Sequence, residues 1–299
     1  MPSSGDDEVR SETPGLGGHE SGRGPVVPRR GWRGRPPGER RPAVPATRSD
    51  GGWWLVCAGI GFVVGQIVAL VVITVAAQIT GNGAHLTAIS KLAAPPAWYI
   101  GSGLVGLWTG FFFGPAIASR VRGTRHLVAD LGLSFRRSDA WGVLIGIGGQ
   151  LLVTLIYLPF VSHLHNFQAP TTKLTGGAHG TGFAVIAILT VVGAPFFEEL
   201  FFRGLLLRGL LGVFGAAGRR LAGAATPVLA IAVAVVADGL LFGLAHGELE
   251  QFAGLAVFGC ILAVVAYKTG RLGMNMVAHA SFNLVAVIAI ASNRAGLIH

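Results

Sequence analysis

From Trp53 onward the chain alternates long apolar runs with short intervals rich in glycine and charge. The runs are Trp53–Ile79, Ala97–Ser119, Trp141–Val161, Gly182–Phe202, Pro227–His246, Phe252–Tyr267 and Met274–Ala291. A bilayer core needs about 20 residues of helix, so runs of this length predict membrane-crossing helices. The third and fifth read cleanly as spans, while the sixth is short. The pattern predicts an all-α fold, a polytopic transmembrane helical bundle of about seven to eight spans.

Composition sharpens this picture. Of the 299 residues, 52% are hydrophobic and 12% charged, with a mean hydropathy of +0.61. Soluble domains run near ~25% charged, so the balance is that of a membrane protein. Residues 1–50 are rich in Gly, Pro, Arg and Ser and hold few bulky aliphatics. Such a segment cannot bury enough apolar surface to offset its ordering entropy, and it is expected to be a disordered basic tail. Residues 51–180 then form N-terminal transmembrane helices. The first apolar run begins far into the chain and is long enough to stay as a span, so no signal peptide is expected.

The net charge of +9 comes almost wholly from arginine, since the only lysines are Lys91, Lys173 and Lys268. Arginines gather in the tail (Arg29, Arg30, Arg33, Arg35, Arg40, Arg41, Arg48). They gather again between the second and third runs (Arg120, Arg122, Arg125, Arg136, Arg137), after the fourth (Arg203, Arg208, Arg219, Arg220) and, with Lys268, at Arg271. The intervening loops carry almost none. Basic loops stay cytoplasmic, which predicts a multi-pass protein of the cell (inner) membrane with its N-terminus in the cytoplasm. The excess is not a nucleic-acid surface, because no basic face with interleaved aromatics exists. Cys57 and Cys260 lie in apolar stretches without CxxC spacing and read as small core or lipid-facing residues. Trp53, Trp54, Trp98, Tyr99, Trp108 and Trp141 sit mostly at span ends, as an aromatic belt does.

Against this background Glu198 and Glu199 stand out, side by side in Val191-Val-Gly-Ala-Pro-Phe-Phe-Glu-Glu-Leu-Phe-Phe-Arg203. A charge in the bilayer interior costs on the order of 2.5–3.5 kcal/mol even on a lenient scale, which makes an intramembrane acid a functional-site candidate. Glu199 and Arg203 are four apart and share a helix face, so they can pair. Glu198 is rotated by about 100° from that face and needs another partner. Two further motifs supply candidates: Phe242-Gly-Leu-Ala-His246 and His279-Ala-Ser-Phe-Asn283. In isolation each is weak: an ordinary ion pair, a satisfied core histidine, a helix–helix hydrogen bond. Together, in spans where every polar group is costly, they point to one shared site. Two chemistries are open. Glu198, His246 and His279 would hold a catalytic zinc with one position left for water. Without metal, Glu198 and one His would activate water while the other His and Asn283 donate to the oxyanion of an acyl transition state. No organic cofactor is expected.

The set Glu198-Glu-Leu-Phe-Phe-Arg203, Phe242-Gly-Leu-Ala-His246 and Thr269 to Asn283 resembles, in order and spacing, the signature of the CAAX-protease and bacteriocin-processing family (CPBP or Abi type). These are intramembrane proteases. The resemblance covers roughly 185–283 and implies a catalytic transmembrane domain over 181–299, enclosing an intramembrane cavity. It implies that Glu198 is the catalytic glutamate, that His246, His279 and Asn283 complete the site, and that Glu199, Arg203 and Phe242 support it. It further implies hydrolysis of a peptide bond in a membrane-embedded or lipidated peptide or protein. Eukaryotic members remove the last three residues of prenylated CaaX proteins, and bacterial members are linked to peptide maturation or bacteriocin immunity. The rival class is a non-proteolytic immunity scaffold or a transporter, and the latter is disfavoured because no inverted repeat is visible.

Two features resist this simple topology. Glu198 and His279 fall towards the cytoplasmic half of their spans, whereas His246 falls near the outer end of its own. Asp238 lies two turns before His246 on the same face. Either it orients that imidazole as a neighbouring carboxylate, or it pairs with Arg203 or faces water.

Overall fold

The structure, a computed structural model, describes residues 51–160, 175–222 and 227–295; the basic tail (1–50) lies outside them. The described residues are helical and contain no strand, apart from an isolated bridge between Pro96 and Gly177. Among them, seven helices are long and apolar enough to cross a membrane. The chain is a multi-pass, all-α membrane protein.

Helices α1 (Gly51–Ile79) and α2 (Ala97–Arg122) pack along their length as an antiparallel pair. The reason is glycine. A Cβ on Gly106 would strike the α1 backbone at Ala69, and one on Gly110 would strike it at Gly61. Between lipid-facing helices the hydrophobic effect gives little drive, so close backbone approach through small residues takes its place. Helix α3 (Gly142–Tyr157), entered by a 3₁₀ turn at Arg137–Trp141, lies parallel to the last helix, again through glycines: a Cβ on Gly142 or Gly146 would strike its backbone at Met274 or Ala278.

The fourth span is a chain of helical pieces of two kinds. It runs through α4 (Gly180–Ile188), a π-helical turn at Leu189–Gly193, α5 (Ala194–Glu199), a second π-helical turn at Leu200–Leu206, and α6 (Leu207–Ala222). Helices α7 (Pro227–Ala245), α8 (Leu249–Thr269) and α9 (Gly273–Arg294) close around it. α7 and α8 touch through Gly239 and Gly259, and a Cβ on Gly239 would meet Cys260. Gly270, at φ 66°, takes the left-handed cap that ends α8 and returns the chain into α9.

Three sequence expectations change. The fourth run does not stop at Phe202: its apolar span continues to Ala217, 38 residues in all. Arg203 and Arg208, read above as loop charges, lie inside it. Arg203 is 1% exposed, and Arg208 donates to the Leu131 carbonyl at 2.9 Å. Both head groups donate to protein acceptors through their terminal nitrogens. The sixth span is not short either: α8 has 21 residues, with Glu250 and Lys268 near its two ends, where long charged side chains can reach the interface. Finally, the expected difference in depth does not keep the residues apart: Glu198 Oε2 lies 4.0 Å from His246 Nε2.

Candidate active site

Pro195 has no N–H, so the α-helical ladder cannot run unbroken through Gly193-Ala-Pro-Phe-Phe. The structure resolves this with a π-helical turn: Ala194 N–H bonds to Leu189 O, five residues back. Such turns occur mostly as single insertions at functional sites. Gly193 leaves room for the Trp108 ring, which stacks on Phe197 at 5.0 Å. In this way α2 braces the turn that carries the two glutamates.

Glu199 points into protein and is fully buried. Its Oε1 accepts from Arg203 NH1 at 3.0 Å and from His279 Nδ1 at 2.9 Å. Its Oε2 accepts from Asn275 Nδ2 at 3.3 Å. Arg203 in turn donates to the Gly259 carbonyl at 3.0 Å, sets Nε 3.3 Å from Asp238 Oδ2, and lies 4.4 Å over the Phe242 ring. Asp238 thus pairs with Arg203 and not with His246. Burial of so many charges is tolerable only because nearly every one has a partner.

Glu198 points the other way. Its Oε2 is buried, has no hydrogen-bond partner, and faces two imidazoles: His279 Nε2 at 3.8 Å and His246 Nε2 at 4.0 Å. Each ring is fixed from its far side. His246 Nδ1 lies 2.8 Å from the Phe242 carbonyl, which can only accept, so this nitrogen carries the proton. His279 Nδ1 donates to the Glu199 carboxylate by the same argument. Phe242 packs edge-on against both rings, at 4.8 and 5.6 Å. Both Nε2 atoms are therefore the free nitrogens, turned to the unsatisfied Glu198 Oε2. A separation of 3.8–4.0 Å is too long for a direct hydrogen bond and lets one water oxygen sit beside the pair, about 2.8 Å from both atoms.

The same donors can be tested against a metal. Ring nitrogens oriented through the opposite N–H by a carboxylate or a carbonyl, beside an unpartnered carboxylate, are the donor chemistry a divalent ion takes. Zinc ligands at about 2.0–2.1 Å in a tetrahedron stand about 3.3 Å apart. The separations here are wider, and no group of three or more His, Cys, Asp or Glu among the described residues is set closely enough to hold an ion as it stands.

Asn283 lies one turn after His279, but its amide donates at 2.8 Å to the Thr190 carbonyl, in the first π-helical turn. Sequence reasoning gave no role to Asn275, which is fully buried and bridges Glu199 to the Leu262 carbonyl at 2.7 Å. Its signal was present: an amide four residues before His279, on the same helix face. Phe258, 5.9 Å from the His279 ring, was also missed, having no polar atom to mark it.

Residues 180–285, about a third of the chain, match the family model described as Type II CAAX prenyl endopeptidase Rce1-like. The match contains every side chain placed around Glu198 and Glu199 except the bracing Trp108. No curated protein and no solved structure matches the chain.

Proposed function

We propose, from the match of residues 180–285 to the type II CAAX prenyl endopeptidase Rce1-like family model, that the protein is an endopeptidase that hydrolyses a membrane-embedded or lipidated peptide or protein inside the bilayer. The observation that carries this reading is the buried, unpartnered Glu198 Oε2 facing two Nε2 atoms. In this reading Glu198 takes a proton from a water held between it and the imidazoles. The water oxygen bonds to the scissile carbonyl carbon. Glu198 then returns the proton to the leaving nitrogen as the C–N bond breaks. His246 and His279 present Nε2 to the water and, when protonated there, donate to the carbonyl oxygen as it turns negative. Glu199, Arg203 and Asn275 hold His279 in place. A divalent ion such as zinc, held by Glu198, His246 and His279, would supply Lewis-acid polarisation and a more acidic water.

The arginine distribution supports a cytoplasmic N-terminus in a cell (inner) membrane, although Arg203 and Arg208 no longer count towards it. Two measurements test the reading. Purified protein is incubated with membrane-anchored reporters, a prenylated CaaX peptide among them. Wild type should cleave at least one, while Glu198→Gln, inserted normally, should cleave none. Retention of full biological activity by the Gln variant would instead favour a non-proteolytic scaffold. Loss of cleavage on chelation, restored by Zn²⁺, would support the metal. Persistence with a chelator shown to reach the cavity would support glutamate and histidine alone.

A further inference from the structure

The Thr190 carbonyl has lost its helical donor. In the π-helical turn, Ala194 N–H bonds five residues back to Leu189 O. The next bond of that ladder would run from residue 195 to Thr190, and residue 195 is a proline with no hydrogen to give. Within a membrane span a carbonyl without a donor is costly, and natural structures fill such gaps from a side chain or a water. Here the donor comes from another helix: Asn283 Nδ2 lies 2.8 Å from Thr190 O. The geometry points to Asn283 as a positioning residue, whose amide replaces the backbone N–H that Pro195 lacks and so holds the π-helical turn that aims the two glutamates.

The position of that turn matters for a geometric reason. A π-helical insertion adds one residue to the helix, which rotates everything after it by about 100° relative to an unbroken α-helix. Adjacent side chains on a helix also differ by about 100°. Relaxing the insertion would therefore turn the helix by one side-chain position, setting Phe197 where Glu198 now faces the imidazoles and Glu198 where Glu199 stands. α5 begins at Ala194 and ends at Glu199, so the insertion lies immediately before the segment it orients. Asn283 stands on α9 one turn beyond His279, which donates to Glu199. A single helix thus fixes both the phase of the glutamate turn and the imidazole that reads it.

The activity arm of this inference rests on Glu198 driving hydrolysis; the stability arm does not. The test is a double-mutant cycle on the full-length purified protein, with Asn283→Ala, Pro195→Ala and the double variant, read by melting temperature in detergent and by kcat and KM on a cleaved reporter. With Pro195 in place, Asn283→Ala should lower the melting temperature and lower kcat by about 10²-fold, the loss a misplacement near 1 Å can cause, with KM little changed. Asn283→Asp, which keeps the shape but puts a carboxylate against the carbonyl, should do the same. In the Pro195→Ala background a backbone donor is present again, so Asn283→Ala should cost little in melting temperature and most of the lost kcat should return. Equal losses in both backgrounds would overturn the proposal and leave Asn283 as a group that touches substrate. If Pro195→Ala does not fold, Pro195→Ser restores the same donor; failure of both to fold would also overturn it. A wild type without turnover would defeat the proteolytic reading alone, and the melting temperatures would still decide the role of Asn283.

Discussion

Glu198 and Glu199 are chemically identical neighbours on one short helix, and the protein surrounds them differently. Glu199 is fully buried and accepts from an arginine, an imidazole and an amide. Glu198 keeps a side chain that is 13% exposed, with one oxygen unpartnered and two imidazoles just beyond hydrogen-bond reach. Sequence adjacency separates their directions by about 100°, and the two sides are built for different purposes. A carboxylate with both oxygens engaged holds structure, whereas one with a free oxygen can take a proton.

The strongest way to break the comparison is to empty the Glu199 side. Arg203→Ala leaves Glu199 and Asp238 without their shared cation, and breaking a buried pair typically costs about 3–5 kcal/mol. The folded, extractable amount of protein should fall sharply; normal yield and melting with only turnover lost would mean that Arg203 acts on substrate. Next come the two histidines, which separate the sides. His279→Ala should lower both turnover and melting temperature, because this imidazole is shared between the two glutamates. His246→Ala should cost turnover by a comparable ~10²–10⁴-fold with little change in melting, since its ring is 31% exposed and its Nδ1 bonds only within its own helix. Matching melting losses for both variants would refute that division. The smallest effect is expected for Asp238→Asn. The amide keeps the shape and an acceptor for Arg203 Nε, while Glu199 still neutralises the guanidinium, so the loss in unfolding experiments should stay near ~1 kcal/mol. A loss as large as that of Arg203→Ala would make Asp238 the principal counter-ion.

Much of this arrangement was legible in the sequence, because cost makes polar residues conspicuous in apolar runs. The i, i+4 spacing gave the Glu199–Arg203 pair, and the 100° offset gave Glu198 its separate direction. The role of Pro195 was not legible. A proline in an apolar run announces a break, but not that the helix absorbs it by a π-helical turn, nor that Asn283 supplies the missing donor from another helix. Asn283 was assigned to the oxyanion with no sign that its amide also donates to Thr190. The fourth span was ended where the arginines begin, short of its observed length. Arg203 and Arg208 are inside the protein, which charge counting along a chain cannot detect. The seven spans were visible from length and hydropathy, and their glycine contacts only from the packed helices.

The most direct measurement is a paired one on purified protein: Glu198→Gln and Glu199→Gln, each scored for melting temperature and for reporter cleavage. The account predicts that Glu198→Gln melts like wild type and loses cleavage by about 10²–10⁴-fold or more. It predicts that Glu199→Gln melts clearly lower, with whatever cleavage survives following the folded fraction. The reverse pattern, with Glu199→Gln stable but inactive and Glu198→Gln active, would contradict the assignment of the two carboxylates.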